Sequence, residues 1–171
     1  MSNLEKKSVL KVINELEELG HSSKVIELQD TARSALDASH ALNVPVGAIV
    51  KTLIFLIESK EAETPVITLI SGDRLCHTKI LPKLLNVDGK VIRPDADKVK
   101  SITGYSIGGV SPIGLPKALA VIADSSLKRF EKIWSAAGHP HCVFGSTFDE
   151  LINLTGAQIS ETISVSDNRS K

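Results

Sequence analysis

A mixed α/β (α+β) domain, with a central mixed, barrel-like β-sheet surrounded by helices, is the architecture this sequence predicts. Three observations predict it. Segments of helical and of strand periodicity interleave along the 171 residues without a strict βαβ repeat. Two runs, Ile49 to Ile57 and Val66 to Ile70, are apolar at successive positions, as strands buried on both faces are. No linker, internal repeat or low-complexity stretch divides the chain, so a single domain over residues 1–171 is expected, long enough to bury a core.

The elements follow in order. Val9, Leu10, Val12, Ile13, Leu16 and Leu19 recur at helical spacing, and Gly20 stops that helix. A short strand from Val25 to Leu28 leads to a second helix near Ala32 to Leu42, ended by Pro45. The two apolar strands come next, with Ser71-Gly72-Asp73 as the turn after the second. A basic helix is expected from about Thr78 to Leu85, and a shorter one from about Asp95 to Ile102. Asp95 or Asp97 at the start of the latter favours the helix dipole. Leu119 to Ala123 reads as a strand, Leu127 to Ala137 as a helix closed by Gly138, and Cys142 to Phe144 as a brief strand. Thr147 and Glu150 have capping-box spacing, and the helix they open ends near Gly156.

Composition narrows the function classes. Formal net charge is zero, which excludes a generic polycation, yet the charge is uneven. Arg74 to Lys117 carries eight Lys/Arg against three acids, a local basic face that permits a polyanionic partner. Apolar runs such as Leu53 to Ile57 are far too short to cross a bilayer, and Met1 to Lys11 is polar and charged, unlike a secretory leader. The expectation is a cytoplasmic protein with no membrane partner. Cys76 and Cys142 are then expected to be free thiols.

Two features stand out as sites. Lys51 lies in "AIVKTLIFLI", sharing a strand face with Ile49, Leu53, Phe55 and Ile57. It either snorkels outward at the strand's start or lines a cleft and holds an anionic or carbonyl oxygen. The stretch "TGYSIGGVSPIGLP", residues 103–116, holds four glycines and two prolines. It is either a long structural turn or a rigid loop whose backbone N–H groups approach a ligand through Gly108-Gly109, with Pro112 and Pro116 fixing its shape. Rigid donors of that kind suit a carbonyl oxygen becoming an oxyanion. The loop lacks the Gly-Lys-Ser/Thr of a Walker A motif and the GxGxxG of a dinucleotide fingerprint. Cys76-His77 and His139-Pro140-His141-Cys142 lack established zinc spacing. Cys142 and its histidine neighbours on a strand point to opposite faces, which disfavours a Cys-His nucleophile pair.

These residues together resemble the YbaK/EbsC family of trans-editing aminoacyl-tRNA deacylases, similar to the editing domain inserted into many bacterial prolyl-tRNA synthetases. The resemblance runs through "TARSALDASHALNVPVGAIVKTLIF", "SGDRLCHTKI", "TGYSIGGVSPIG" and "WSAAGHPHCVFGSTFDELINLTG". It implies a deacylase that hydrolyses the ester of mischarged tRNA, with tRNA for proline or a related tRNA as substrate, and with neither metal nor cofactor. Lys51, Gly108 and Gly109 become the catalytic candidates. Gly108 to Gly114, with Val110, Ser111, Pro112 and Gly114 among them, are expected to cradle the aminoacyl carbonyl and the terminal ribose. Thr52, Ser34, Ala136 and His139 are expected in the pocket wall. The nucleophile is a water or the substrate's own 2′-OH. The partner is the 3′ acceptor end of aminoacyl-tRNA, with an aminoacyl-tRNA synthetase as a further candidate.

The chain also departs from the pattern. Cysteine-removing members carry serine and aspartate where Ala136 and Val143 stand, and an aromatic residue near Ser34. Alanine-removing members follow the lysine with asparagine, where this chain has Thr52. An Asp-Leu-Lys-Lys-like stretch of the family has become Cys76-His77-Thr78-Lys79. These changes leave open a non-catalytic tRNA- or nucleotide-binding module of the same fold. A metal hydrolase built on Cys142, His139 and His141 is a third, more distant alternative.

Overall fold

A computed structural model describes residues 2–168. The chain runs α1 (Lys7–Glu18), β1 (Ile26–Glu27), α2 (Ala35–Leu42), β2 (Val50–Glu58), β3 (Glu63–Ser71) and β4 (Arg74–Cys76). It continues through α3 (Leu81–Leu85), β5 (Lys90–Ile92), α4 (Ala96–Thr103), β6 (Ala120–Asp124) and β7 (Ile133–His139). It closes with β8 (Cys142–Ser146), α5 (Phe148–Thr155), β9 (Gln158–Ser160) and β10 (Ser164–Ser166).

Five strands form a mixed sheet in the order β5-β2-β3-β6-β9, and β1-β8-β7 and β10-β4 form two smaller sheets. In the large sheet β2 pairs antiparallel with β3 and β5, while β6 runs parallel to both β3 and β9. The architecture is the expected α+β one, although the sheets do not close into a barrel. A parallel bridge, Ile49 to Trp134, ties the large sheet to the β1-β8-β7 sheet.

The double-sided apolar pattern of β2 and β3 reflects two cores, one on each face. Val50, Ile54, Ile67 and Leu69 enter a large core with Val9, Val12 and Leu16 of α1 and with Ile133, Ala137 and Phe144. Phe55, Ile57, Val66 and Ile70 face a second core with Leu81, Ile122 and Ile163. The helices are punctuated as their sequences direct. Asp95 accepts the Lys98 N–H at 2.8 Å to open α4. Thr147 and Glu150 exchange side-chain-to-backbone hydrogen bonds at 3.1 and 2.8 Å to open α5.

One element is corrected. No helix spans Leu127 to Ala137: a short 3-10 turn, Ser125–Arg129, is followed by strand β7. Ile133, Ser135 and Ala137 are buried while Trp134 and Ala136 are part-exposed, a period of two, and β7 pairs with β8 from Ile133↔Ser146 onward. Helix propensity differs by only a few tenths of a kcal/mol per residue, so the ladder with β8 overrides the Ala-rich composition. The turn after β3 is locked from this region. Arg129 donates two hydrogen bonds to the Asp73 carboxylate, at 2.7 and 3.0 Å, and a third to Ser71 Oγ at 2.8 Å.

Candidate functional site

Strand β2 reaches β5 only at Leu56, so its second edge carries no strand between Val50 and Phe55 among the described residues. Strand β7 pairs with β8 on one side alone. The two unpaired edges meet at the Ile49–Trp134 bridge and splay apart, and a cavity of about 370 Å³ occupies the opening. Residues 49–54 form one wall, Trp134, Ser135 and Ala136 the other, and Ile107, Gly108 and Val110 of the glycine-rich loop also line it. Three cations, Arg33, Lys51 and Arg93, line the cavity with no aspartate or glutamate among its walls.

Lys51 projects from the odd-numbered face of β2, and its Nζ donates to the Arg74 carbonyl oxygen of β4. That hydrogen bond ties the ammonium to β4, while the residue itself lines the cavity. Arg93 lies over the Phe55 ring at 5.6 Å. Arg74 and Lys98, two of the basic residues read from the sequence, are engaged within the fold by Ser164 and Glu63.

The glycine-rich loop divides its labour. Gly108 takes φ +93°, a conformation that favours glycine, and lines the cavity. Gly109 packs against β7, where a Cβ would lie 2.8 Å from the His139 backbone nitrogen. Its own N–H is committed to the Ser106 carbonyl at 3.0 Å. The Gly108 and Val110 N–H groups have no partner among the described residues, so these two amides are the loop's candidate donors to a ligand. Ser111 and Pro112 are buried outside the cavity lining, and Ser111 Oγ accepts the Ile113 N–H at 3.2 Å. Gly114 lies farther along, beside the Tyr105 hydroxyl and Lys11.

Of the residues singled out from sequence, Lys51, Thr52, Ser34, Gly108, Val110, Ala136 and His139 line one cavity; Gly109, Ser111, Pro112 and Gly114 do not. Ser34 also caps α2, accepting the Asp37 N–H at 3.0 Å. Burial lowers the pKa of His139, with neighbouring His141 acting in the same direction. The ring is therefore neutral at pH 7. Its Nδ1 accepts the His141 N–H at 3.1 Å, which leaves the proton on Nε2. Cys142 also lines the cavity, but burial pushes its thiol up to about 11, so it holds no nucleophilic thiolate at neutral pH. No cluster of three or more His, Cys, Asp or Glu side chains suited to a metal occurs among the described residues.

A second, more open groove adjoins the cavity through Arg33, Ser34, Ile107 and His139, and continues over Pro140 and His141. Ile107 is 55% exposed there, and the His139 and His141 rings lie 5.7 Å apart. Sequence reading missed Arg33, Arg93, Ile107, Trp134 and Ser135. For Trp134 and Ser135 the available signal was the period-two alternation of "IWSAA", hidden under its helical composition.

The cleft thus lies between two strand edges, lined by three cations and by residues of the glycine-rich loop, with no carboxylate in its walls. The chain belongs to the aminoacyl-tRNA editing domain family, whose model matches residues 29–154. It is similar to the uncharacterized protein YwhH of Bacillus subtilis, at 26% identity over 79% of this chain and 83% of that one. It also resembles the proline–tRNA ligase of Pelotomaculum thermopropionicum, at 36% identity over 71% of this chain and 19% of the ligase. The chain thus spans about a fifth of the length of the proline–tRNA ligases it matches. A crystal structure described as a "putative trans-editing enzyme for prolyl tRNA synthetase" superposes with a TM-score of 0.80 at 32% identity. That match covers 91% of this chain and 96% of the other. No helix among the described residues is long and apolar enough to cross a membrane.

Proposed function

We propose that this protein is an aminoacyl-tRNA deacylase, hydrolysing the ester between a wrongly attached amino acid and the 3′ end of a tRNA for proline or a related tRNA. It acts in trans on that substrate. The observation that carries the reading is that Lys51, Gly108 and Val110 line one carboxylate-free cavity.

The aminoacyl group enters the cavity with its carbonyl oxygen toward the two loop amides. Water adds to the carbonyl carbon, and the amides and the Lys51 charge stabilise the oxyanion that forms. The intermediate collapses with cleavage of the bond to the ribose 3′ oxygen, which takes up the proton lost by the water. Free amino acid and tRNA leave. No protein carboxylate is required, in keeping with the walls of the cavity. The adjoining groove suits the acceptor end: Ile107, Pro140 and the two histidine rings offer stacking surfaces for unpaired bases, and Arg33 offers charge for a phosphate.

The test is deacylation of alanyl-, cysteinyl-, seryl- and threonyl-tRNA for proline by the purified protein. Release of amino acid from at least one of them is expected, with Lys51→Ala slowing it roughly 10²–10³-fold, the usual loss for an oxyanion-stabilising group. Undiminished turnover by Lys51→Ala would overturn the mechanism. Tight tRNA binding with every ester left intact would instead establish a non-catalytic binding module.

A further inference from the structure

The glycine-rich loop lies between α4 and β6 with no helix or strand of its own, so contacts with its surroundings must fix its shape. On one side Gly109 packs against β7. The base of the loop is closed by a side chain. The Tyr105 hydroxyl donates to the Ile113 carbonyl oxygen, the one hydrogen bond among the described residues that joins the two ends of the loop. Tyr105 is itself anchored. It is buried in the large core, with Lys11 Nζ of α1 5.0 Å from its ring centroid. Its N–H donates to Thr103 Oγ1 at 3.0 Å, and that hydroxyl donates to the Val99 carbonyl of α4 at 2.8 Å. Burial, reinforced by Glu15, pushes the phenol well above its ordinary value of 10.0, so the hydroxyl keeps its proton and remains a donor. The far end of the loop is shaped to receive it. Gly114 adopts φ +74°, and a Cβ there would lie 2.7 Å from Tyr105 Oη. The last glycine of the stretch lines no part of the cavity, and the tyrosine hydroxyl accounts for it.

We propose that Tyr105 is a positioning residue for deacylation, its hydroxyl bracing the glycine-rich loop so that the Gly108 and Val110 amides are held ready for the developing oxyanion. The inference rests on the deacylase reading of the cavity. Tyr105 does not line the cavity, so it acts through the loop and not on the substrate. Donors already in place stabilise a developing charge without reorganising as the reaction proceeds, and a donor that must first be brought into place loses that advantage. The brace supplies the restriction by tying the chain to itself across a sequence separation of 8. Without the hydroxyl, the buried Ile113 carbonyl is left unpaired, a cost relieved only by movement of the segment that carries it.

The test uses Tyr105→Phe, which removes the hydroxyl and keeps the ring, in the intact chain. Backbone nitrogen-15 order parameters, about 0.85 for rigid segments and below about 0.6 for flexible ones, are expected to fall into the flexible range at Gly108 and Val110 while those of β2 and β7 hold. Single-turnover hydrolysis is measured on whichever of the alanyl-, cysteinyl-, seryl- and threonyl-tRNA esters the wild-type protein cleaves. The saturating rate constant is expected to fall on the order of tenfold, with half-saturation unchanged within about twofold. Ile122→Val, a fully buried change in the second core, is the control for lowered stability. At matched folded fraction it is expected to keep wild-type order parameters and rates. Unchanged order parameters or undiminished turnover in Tyr105→Phe would overturn the proposal. So would a slowing shared by Ile122→Val, the mark of a general loss of stability, and so would a loss confined to half-saturation, the mark of ground-state binding. Loosened Gly108 and Val110 in Tyr105→Phe, beside wild-type protein that cleaves none of the esters, would uphold the brace and refute the deacylase reading.

Discussion

Replacing Gly109 with alanine tests whether the glycine-rich loop is positioned by its contact with β7. The added methyl carbon would lie 2.8 Å from the His139 nitrogen and 2.9 Å from both the Gly138 carbonyl carbon and His139 Cα. All three are backbone atoms, and Gly138 is itself held by Ser8, whose hydroxyl donates to its carbonyl at 2.7 Å. Ordinary contact begins at 3.4 Å, so the loop or strand must recede by 3.4 − 2.8, or about 0.6 Å. Overpacking of this kind costs about 1–3 kcal/mol. At about 2–4 °C per kcal/mol for a chain of this size, Tm should fall by roughly 2–12 °C. Displacement of a catalytic group by about 1 Å can cost on the order of 10²-fold in rate. A shift of 0.6 Å then predicts a loss on the order of tenfold in kcat/KM, since Gly108 and Val110 flank the displaced residue. The control is Ile122→Val in the second core, fully buried, absent from the cavity walls and expected to cost roughly 0.5–1.5 kcal/mol. Deacylation is measured under single-turnover conditions, well below both Tm values. Normal turnover by Gly109→Ala, or an equal loss in Ile122→Val at matched folded fraction, would refute the positioning argument.

Two further predictions concern titration and reactivity. The Arg129 guanidinium holds the Asp73 carboxyl below its ordinary value of 3.8, so the pair's contribution is complete above that pH and lost as pH falls through the lower folded value. Asp73→Asn should therefore lower stability at pH 7 and flatten the acid limb of a urea-denaturation series; an unchanged acid limb would rule out this linkage. Because burial pushes the Cys142 thiol up to about 11, iodoacetamide at pH 8 should leave it unmodified in the native protein and label it in urea. Rapid native labelling, read by peptide mass spectrometry, would contradict its buried, protonated state.

The parts of the fold legible in sequence were those with several turns or strand repeats of evidence. The 3.6-residue period of α1, the double-sided β2 and β3 and the Thr147/Glu150 cap all express local rules, and the structure follows each. The three-residue strands β4, β5, β9 and β10 are too short to carry a period, and they exist because a neighbouring edge accepts them. Strand β7 was obscured for a different reason. Its alanines favour a helix by a few tenths of a kcal/mol per residue, a preference that pairing with β8 overrules. That one misreading also hid Trp134 and Ser135, so two of the three far-wall residues went unseen. Lys51 and the glycine-rich loop were visible because they violate local expectation, a charge in an apolar strand and an excess of turn residues. The separation of roles within the loop was not visible, since it depends on the Gly109–His139 contact between segments about thirty residues apart.

The placement of α1 bears on how this kind of domain is delimited. The family match begins at residue 29, after α1 has ended. Yet Val9, Val12 and Leu16 fill the large core behind β7, and Ser8 grips the β7 end at Gly138. This helix acts as a buttress: none of its residues lines the cavity, but the far wall of the cleft leans on it. A fragment cut to the homologous boundaries would retain every cavity-lining residue and lose the support that holds Trp134 and Ser135 opposite β2. The unit of recognition and the unit of folding therefore have different ends in this molecule, and the second is the longer.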